Sequence, residues 1–209
     1  MRALCGQTVL RFPSPDAISF EDSLALARDF VQRWRNHDLI VPAPAPHAPY
    51  TCTSEILREC AELAAEFDVP LHTHLAETTF EVEESRRQHG MPVIPYVKKQ
   101  GLFGAKVLAA HCVHVDEGEI RGLQQAGAGV AHNPTSNLKL GAGIAPVARM
   151  PDFVRQDLAE CACFVAANLR GGGAQPLPED VHQAGSGIGV GQSMRVDMLE
   201  AQVFVGALQ

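Results

Sequence analysis

The chain has 209 residues, of which 46% are hydrophobic and 20% are charged, and its formal net charge at pH 7 is −7. This composition predicts one globular domain of good size with its own core. The acidic balance and the scattered lysines and arginines argue against nucleic acid as a partner. The sequence contains no apolar run near the ~20 residues of a bilayer span and no signal-peptide core at its start, so we expect a cytoplasmic protein without membrane contact.

Amphipathic helices alternate with short apolar runs from residue 20 to residue 132, which is typical of βα units around a buried parallel sheet. The first helix begins after the N-cap Ser19, and the run LIVPAPAP then predicts a strand that leads to His47. Thr53 is the predicted N-cap of the second helix, which precedes a second strand in VPLHTHL.

Stronger capping signals mark the helices that follow. Thr78 and Glu81 form a capping-box pattern, and the helix that they start is expected to end at Gly90. A helical stretch around residues 92–100 leads into a third strand, KVLAAHCVHV. A further capping box precedes a helix that ends near Gly127, and GAGVAHNP is the fourth predicted strand. The two residues of that box are Asp116 and Glu119.

The character of the sequence changes after Met150. Glycine-rich stretches such as RGGGAQPLPED and GSGIGVGQ indicate loops. Two weakly apolar segments, 153–169 and 196–208, are compatible with helices or strands and have no evident role in a βα series. We therefore divide the chain into an α/β domain at residues 1–150 and a divergent or irregular segment at residues 151–209.

Histidines follow the apolar runs, where parallel α/β folds assemble their active sites. Side chains two apart on a strand point to the same side, so His72 and His74 can face one site. A His-x-His pair can bind zinc, although a single occurrence is more often structural. Glu77 follows just past the strand end, where a carboxylate can carry a proton of a metal-bound water. His111 and His114 belong to the next strand.

Four segments resemble the 5'-methylthioadenosine/S-adenosylhomocysteine deaminases of the amidohydrolase superfamily: PAPAPHAPYTC, VPLHTHLAET, VLAAHCVHV and GVAHNPTSNLKLGAGIAPVARM. The resemblance extends from Met1 to Met150, and related families include guanine deaminases and triazine chlorohydrolases. It implies an α/β fold, a partial metal-dependent TIM (β/α)8 barrel in which residues 1–150 carry strands of about 3 to 7. The C-terminal residues 151–209 remain unassigned by it.

The resemblance implies a role for each of four residues. His74 corresponds to the metal ligand on barrel strand 5, and Glu77 corresponds to the acid/base that passes a proton from water to the purine ring. His111 corresponds to the histidine that polarises and orients the attacking water, and His47 to the one that contacts the nucleoside. The implied cofactor is a divalent metal ion, zinc, which lowers the pKa of bound water towards ~7.

The other polar residues near these strand ends receive structural roles under the same resemblance. His72 falls outside the metal shell, as a packed or supporting histidine. The remaining candidates are interpreted as structural histidines or as residues whose hydrogen bonds fix the loop after barrel strand 7. They are His114, His132, Asn133, Ser136, Asn137 and Lys139.

The implied function is hydrolytic deamination of a small purine nucleoside of the methylthioadenosine or S-adenosylhomocysteine type. Gln7 stands where the family is expected to have an arginine for the homocysteine carboxylate, with Arg11 nearby. This weakens S-adenosylhomocysteine as the substrate relative to methylthioadenosine or another aminopurine. The family's strand-1 His-x-His pair has no counterpart in this sequence. Its strand-8 aspartate has none either, because the nearby Asp152 and Asp157 do not end an apolar run. We therefore interpret the sequence as a truncated or frame-shifted reading of a longer gene.

Three alternatives remain open. In the first, the chain is a catalytically incomplete fragment that folds only with a partner or not at all. In the second it acts on guanine or triazines, and in the third His72 and His74 form a new metal pair together with His111. An open half barrel exposes strand edges and apolar faces that another chain would have to cover, which leaves a homo-oligomer open.

Overall fold

A computed structural model describes residues 3–150, 154–155 and 203–205 of the chain. Strands and helices alternate through the first of these ranges, as the hydrophobic pattern predicts. The strands are β1 Ala3–Val9, β2 Ile40–Pro46, β3 Pro70–Leu75, β4 Lys106–His111, β5 Gly129–Ala131, β6 Val154–Arg155 and β7 Val203–Val205. The helices are α1 Phe20–Trp34, α2 Ser54–Glu66, α3 Thr79–His89, α4 Val93–Lys99, α5 Glu117–Gln125 and α6 Pro134–Lys139.

The strands form two sheets that meet between β2 and β3. In the first sheet β1 pairs in parallel with β2 and antiparallel with β7, and in the second sheet β3, β4, β5 and β6 pair in parallel. The backbone amide of His74 donates to the carbonyl of His47 at 3.0 Å, and the Thr73 hydroxyl donates to the same carbonyl at 3.3 Å. These bonds bring the carboxyl ends of β2 and β3 together.

The parallel strands with intervening helices give a partial, TIM-barrel-like α/β fold. The four strands predicted from the apolar runs are all present, as β2 to β5. Over the residues that the structure describes, the strands do not close into a barrel. The candidate segments 153–169 and 196–208 lie outside the described residues apart from the backbone of β6 and β7, as do Asp152 and Asp157. In the same described ranges, no helix is both long and apolar enough to cross a bilayer.

The helix boundaries follow the predicted capping signals. Three N-cap side chains accept hydrogen bonds of 3.1 to 3.3 Å from the amide three residues later, namely Ser19, Thr53 and Thr78. Asp116 and Glu119 form a complete capping box at the start of α5. Gly90 ends α3 with a φ of 70°, a left-handed conformation that glycine adopts without steric cost.

One continuous apolar core joins the strands to the helices that cover them. Leu71 on β3 is fully buried within it, and burial of such a side chain is worth roughly 1.5 to 3 kcal/mol. The largest of its other apolar members are also almost fully buried, and they include Ile56, Leu57, Leu63, Leu75, Ile94, Leu102 and Leu123. This core fixes the strands whose carboxyl ends carry the polar cluster described next.

Candidate active site

The four residues predicted for the site meet at the carboxyl ends of three adjacent strands. His47 follows β2, His74 lies near the end of β3, Glu77 comes two residues after β3, and His111 is the last residue of β4. The ring centroids of His47 and His74 are 4.9 Å apart, and those of His74 and His111 are 4.8 Å apart. The parallel register of the strands therefore gathers residues that are up to 64 positions apart in the sequence.

Both ring nitrogens of His111 have close polar neighbours. Its Nε2 lies 2.7 Å from Nδ1 of His74, which is a hydrogen bond between the two rings. Its Nδ1 lies 2.6 Å from Oδ1 of Asn137 and 3.4 Å from Oε1 of Glu77. His111 is thus held between another histidine on one side and two oxygen acceptors on the other.

The backbone at the end of β4 adopts a conformation that non-glycine residues seldom occupy. The φ values of His111 and Cys112 are 72° and 47°, and Ala76 after β3 has a φ of 51°. Each such residue costs on the order of 1 to 3 kcal/mol, and the surrounding structure must hold it. Here the amides of residues 112–114 donate to the carbonyls of Leu75 and Ala76 at 2.9 to 3.0 Å. These bonds tie the two strand ends together and direct the His111 ring towards His74.

Burial determines the charge state of two histidines in this cluster, His74 and His47. The pKa of His74 lies well below its usual value, because the ring is desolvated and because His111, His47 and His72 are close to it. Desolvation together with the proximity of His111 lowers the pKa of His47 to about 4. Both rings are therefore neutral at pH 7, and each has one protonated and one unprotonated nitrogen.

His47 is oriented by Thr51 in the loop after β2. The Thr51 hydroxyl donates to the carbonyl of Ala48 at 3.1 Å, so its oxygen accepts from Nδ1 of His47 at 2.8 Å. The amide of Ala48 also donates to that oxygen, at 3.2 Å. This arrangement places the proton of His47 on Nδ1 and leaves Nε2 as a hydrogen-bond acceptor.

Glu81 is a buried carboxyl group that sequence reasoning treated only as a helix cap. Its Oε2 accepts from the backbone amide of Glu77 at 2.8 Å, and its Oε1 has no hydrogen-bond partner within the described part of the chain. Desolvation is the main cause that raises the pKa of Glu81, to about 8. The carboxyl group therefore supports the loop that carries Glu77. In the sequence, the only signal for this role is the apolar Val82 that follows Glu81 in the first turn of α3.

Asn137 is a second residue whose contact with the site was not predicted from the sequence. It was predicted to fix the loop after the last predicted strand, and its carbonyl does accept from the amide of Ala142 at 2.8 Å. Its side chain is also fully buried and contacts His111 directly. Nothing in the motif HNPTSN distinguishes this asparagine from Asn133, because the contact depends on how α6 is placed against β4.

The remaining candidates lie outside the central cluster. His72 is 1% exposed, its ring centroid is 6.2 Å from that of His74, and burial lowers its pKa to about 3. His114 donates from Nε2 to the carbonyl of Ala142 at 2.7 Å. The side chain of Gln7 donates to Asp16 at 2.9 Å.

His74, Glu77 and His111 are grouped as a metal site would require. Each offers one ligand atom, and these atoms lie within 4.8 Å of one another. Two imidazoles and one carboxylate form a donor set that suits zinc at catalytic sites. Among the described residues, this is the one group of histidine, cysteine and acidic side chains with such spacing, and His72 is not part of it. The interpretation of His72 and His74 as a metal pair therefore receives no support from the geometry.

Comparison with known proteins agrees with this architecture. A sequence profile described as "Amidohydrolase family" matches residues 1–156. A 5-methylthioadenosine/S-adenosylhomocysteine deaminase from Thermodesulfovibrio yellowstonii is 44% identical over 150 residues, which are 72% of this chain and 34% of the relative. The chain therefore spans about a third of the length of the curated relatives that it matches.

Two solved structures share the fold. An adenosine deaminase from Xanthomonas campestris with bound zinc is 35% identical and has a TM-score of 0.69, with 72% of this chain and 34% of that chain covered. A guanine deaminase from C. acetobutylicum with bound guanine is 25% identical and has a TM-score of 0.63, with 70% and 36% covered. Since the family profile covers most of the sequence, the chain belongs to the amidohydrolase family.

Proposed function

We propose that this chain carries part of the active site of a metal-dependent deaminase that hydrolyses adenine nucleosides of the 5'-methylthioadenosine or S-adenosylhomocysteine type. The grouping of His74, Glu77 and His111 at the strand ends is the observation that carries this proposal. The names and identities of the curated relatives support the choice of substrate class.

The cofactor that we propose is zinc, with His74 as its ligand from this chain. Burial keeps His74 neutral, and a neutral imidazole is the form that binds a metal ion. Bound zinc lowers the pKa of a water molecule towards ~7 and so supplies a nucleophile at neutral pH.

Glu77 is proposed to move the protons of the reaction. Hydrolysis forms a bond from the water oxygen to the amine-bearing purine carbon, breaks the bond from that carbon to nitrogen, and releases ammonia. The Glu77 carboxylate takes one proton from the water and gives it to the adjacent ring nitrogen. It then takes the remaining proton from the newly attached hydroxyl group and delivers it to the amine, which leaves as ammonia. The hydrogen bond from its own amide to Glu81 fixes the backbone from which the carboxylate extends.

The two outer histidines are proposed to orient the reactants. His111 lies 3.4 Å from the Glu77 carboxylate and contacts His74, so it is proposed to orient the attacking water through the positions of these two side chains. His47 presents an unprotonated Nε2, which can accept a hydrogen bond from a nucleoside hydroxyl.

We also propose how the chain is organised. Strands β1 to β5 correspond to barrel strands 3 to 7, residues 1–150 form the catalytic domain, and residues 151–209 form a separate segment. A partial barrel whose strands do not close favours pairing of identical chains, which would cover its open sides. Light scattering on the purified chain would measure the oligomeric state.

A second candidate function is a fragment without catalytic activity that needs a partner to complete the site. The three-residue metal group and the unclosed strands among the described residues favour this candidate. Guanine and triazines remain the alternative substrates for a catalytic chain.

One experiment separates these candidates. The purified chain is analysed for bound zinc, and the change in ultraviolet absorbance of methylthioadenosine, guanine and a triazine is followed in parallel, each at the wavelength of its own ring. If the chain is catalytic by itself, it binds stoichiometric zinc and turns over methylthioadenosine, and turnover disappears in Glu77→Gln. The control Glu83→Gln, which changes an exposed carboxylate on helix α3, then retains turnover. A metal-free chain without turnover of any substrate would exclude catalysis by this chain alone.

A further inference from the structure

The side chain of Asn137 is buried beside His111, and among the described residues only its oxygen has a hydrogen-bond partner. Its Oδ1 lies 2.6 Å from Nδ1 of His111, whereas its Nδ2 is buried and has no hydrogen-bond partner within the described residues. The residue is fully buried, so water does not compete for the oxygen. The amide therefore interacts with the site through its acceptor atom.

Two acceptors converge on the same nitrogen of His111. An asparagine oxygen can only accept a hydrogen bond, and the same holds for the oxygens of an ionised carboxylate. Asn137 Oδ1 and Glu77 Oε1 lie 2.6 Å and 3.4 Å from Nδ1. An unprotonated Nδ1 would point its lone pair at both oxygens and be repelled by them. A protonated Nδ1 is instead attracted to both. The geometry thus favours the Nδ1–H form of His111.

We propose that Asn137 is a positioning residue that fixes the proton of His111 on Nδ1. It thereby sets the tautomer of the adjacent His74, that is, which of its two ring nitrogens is protonated. In the neutral Nδ1–H form, Nε2 of His111 is an acceptor, and it lies 2.7 Å from Nδ1 of His74. His74 must then donate from Nδ1, which makes Nε2 its unprotonated nitrogen. An unprotonated nitrogen is what a metal ion requires of a histidine.

The opposite amide orientation has the opposite consequence. If Nδ2 of Asn137 faced His111, it would donate to an unprotonated Nδ1, and the proton of His111 would lie on Nε2. Nδ1 of His74 would then accept that proton in a hydrogen bond, and the proton of His74 would lie on its own Nε2. The orientation of one buried amide therefore decides which nitrogen of His74 can bind a metal ion.

This inference rests on the proposed function only for the roles of His74 and His111, and its test needs neither metal nor substrate. The full-length chain is labelled with ¹⁵N and treated with a chelator, and long-range ¹H–¹⁵N spectra of the imidazoles are recorded at pH 8. Signals that disappear in His111→Gln assign the ring of interest. Protonated and unprotonated ring nitrogens have well-separated ¹⁵N shifts, so the tautomer is read directly.

We expect His111 to show a protonated Nδ1 and an unprotonated Nε2. In Asn137→Leu, which removes the acceptor at similar volume, the unprotonated Nε2 signal should be lost or shifted towards the protonated position. The control Thr135→Val, which changes an exposed residue of the same short helix, should leave the His111 signals unchanged.

Two results would overturn the proposal. One is a wild-type His111 with its proton on Nε2, and this result is decisive even if Asn137→Leu does not fold. The other is an Asn137→Leu variant with a native amide spectrum and an unaltered His111 tautomer, which would reduce Asn137 to a packing role. A chain without deaminase turnover that still shows the Nδ1–H form would contradict the proposed function and leave this inference standing.

Discussion

The Oε2 atom of Glu81 accepts a hydrogen bond of 2.8 Å from the backbone amide of Glu77. Glu81 is almost fully buried in the first turn of α3, and its neighbour in this bond lies in the loop just after β3. The predicted capping box is therefore only half present, because Thr78 caps the amide of Glu81 while the Glu81 carboxyl group holds the backbone of the proposed proton carrier instead of the N-cap amide. This coupling makes the protonation of Glu81 a property that stability measurements can detect.

The stability of the chain is expected to fall with rising pH because of Glu81. Its pKa is raised from 4.5 to about 8, mainly by burial, so between these values the folded chain holds a proton that the unfolded chain has released. The free energy of unfolding then decreases as the pH rises through this window. In Glu81→Gln this loss should be absent, so its stability relative to the wild type should increase by about 2 to 4 kcal/mol between pH 5 and pH 8.

Urea unfolding of both proteins at pH 5 and pH 8 measures this difference. Glu83→Gln is the matched control, because Glu83 is exposed on the same helix, and its stability should follow that of the wild type at both pH values. A constant difference between Glu81→Gln and the wild type would mean that Glu81 is ionised in the folded chain at neutral pH.

The fold was predictable where local signals and burial agree. Ser19, Thr53 and Thr78 cap the helices that they were expected to start, and Gly90 ends α3. These features depend on a few neighbouring residues, so a single sequence contains them. The pairing of β1 with β7 was not predicted, because it joins residues about 200 positions apart and has no local signature.

The site was predictable only in part, because some of its contacts join residues that are far apart in the sequence and leave no local signal. The apolar runs and their histidines indicated which strand ends carry polar groups, and the resemblance assigned roles to His47, His74, Glu77 and His111. The contacts of Glu81 and Asn137 depend instead on how two helices pack against the strand ends. A capping glutamate and a loop asparagine look alike in sequence whether they are exposed or buried.

Leu71→Ala is expected to lower the free energy of unfolding by about 2 to 5 kcal/mol, because it removes a fully buried side chain from the central strand β3 and leaves a cavity. Ile18→Ala should change it by less than about 0.5 kcal/mol, because Ile18 is 83% exposed. Urea unfolding of the two variants checks this contrast. Equal effects would mean that β3 is not part of a packed core.

Buried neutral histidines are expected to make the chain sensitive to acid. Burial lowers the pKa of His72 from 6.5 to about 3, so below pH 6.5 the unfolded chain binds a proton that the folded chain does not. The free energy of unfolding therefore falls as the pH falls through this window. His72→Gln should reduce this loss by about 1 to 2 kcal/mol between pH 6.5 and pH 5.

Thermal or urea unfolding at these two pH values would check the histidine prediction. His37→Gln is the control, because His37 is exposed and its substitution should leave the acid sensitivity unchanged. An unchanged pH slope in His72→Gln would show that His72 is not a source of the acid sensitivity.

Zinc is expected to stabilise the folded chain through His74. An ion that binds only the folded state raises the free energy of unfolding by about 2.7 kcal/mol at 100 times its Kd. Because the pKa of His74 is held well below its usual value, protons compete weakly for its nitrogen, and the stabilisation should persist at pH 6. Unfolding curves with zinc and with a chelator measure it.

The variants distinguish the proposed site from binding elsewhere. Zinc stabilisation should be lost in His74→Ala and retained in His37→Ala, since His37 is exposed and lies outside the metal group. Zinc can also bind cysteines and histidines of the unfolded chain, which lowers the apparent stabilisation equally in both variants. A stabilisation that survives His74→Ala would therefore place the ion at other residues. If zinc does not stabilise the wild type, His74 does not hold zinc in this chain.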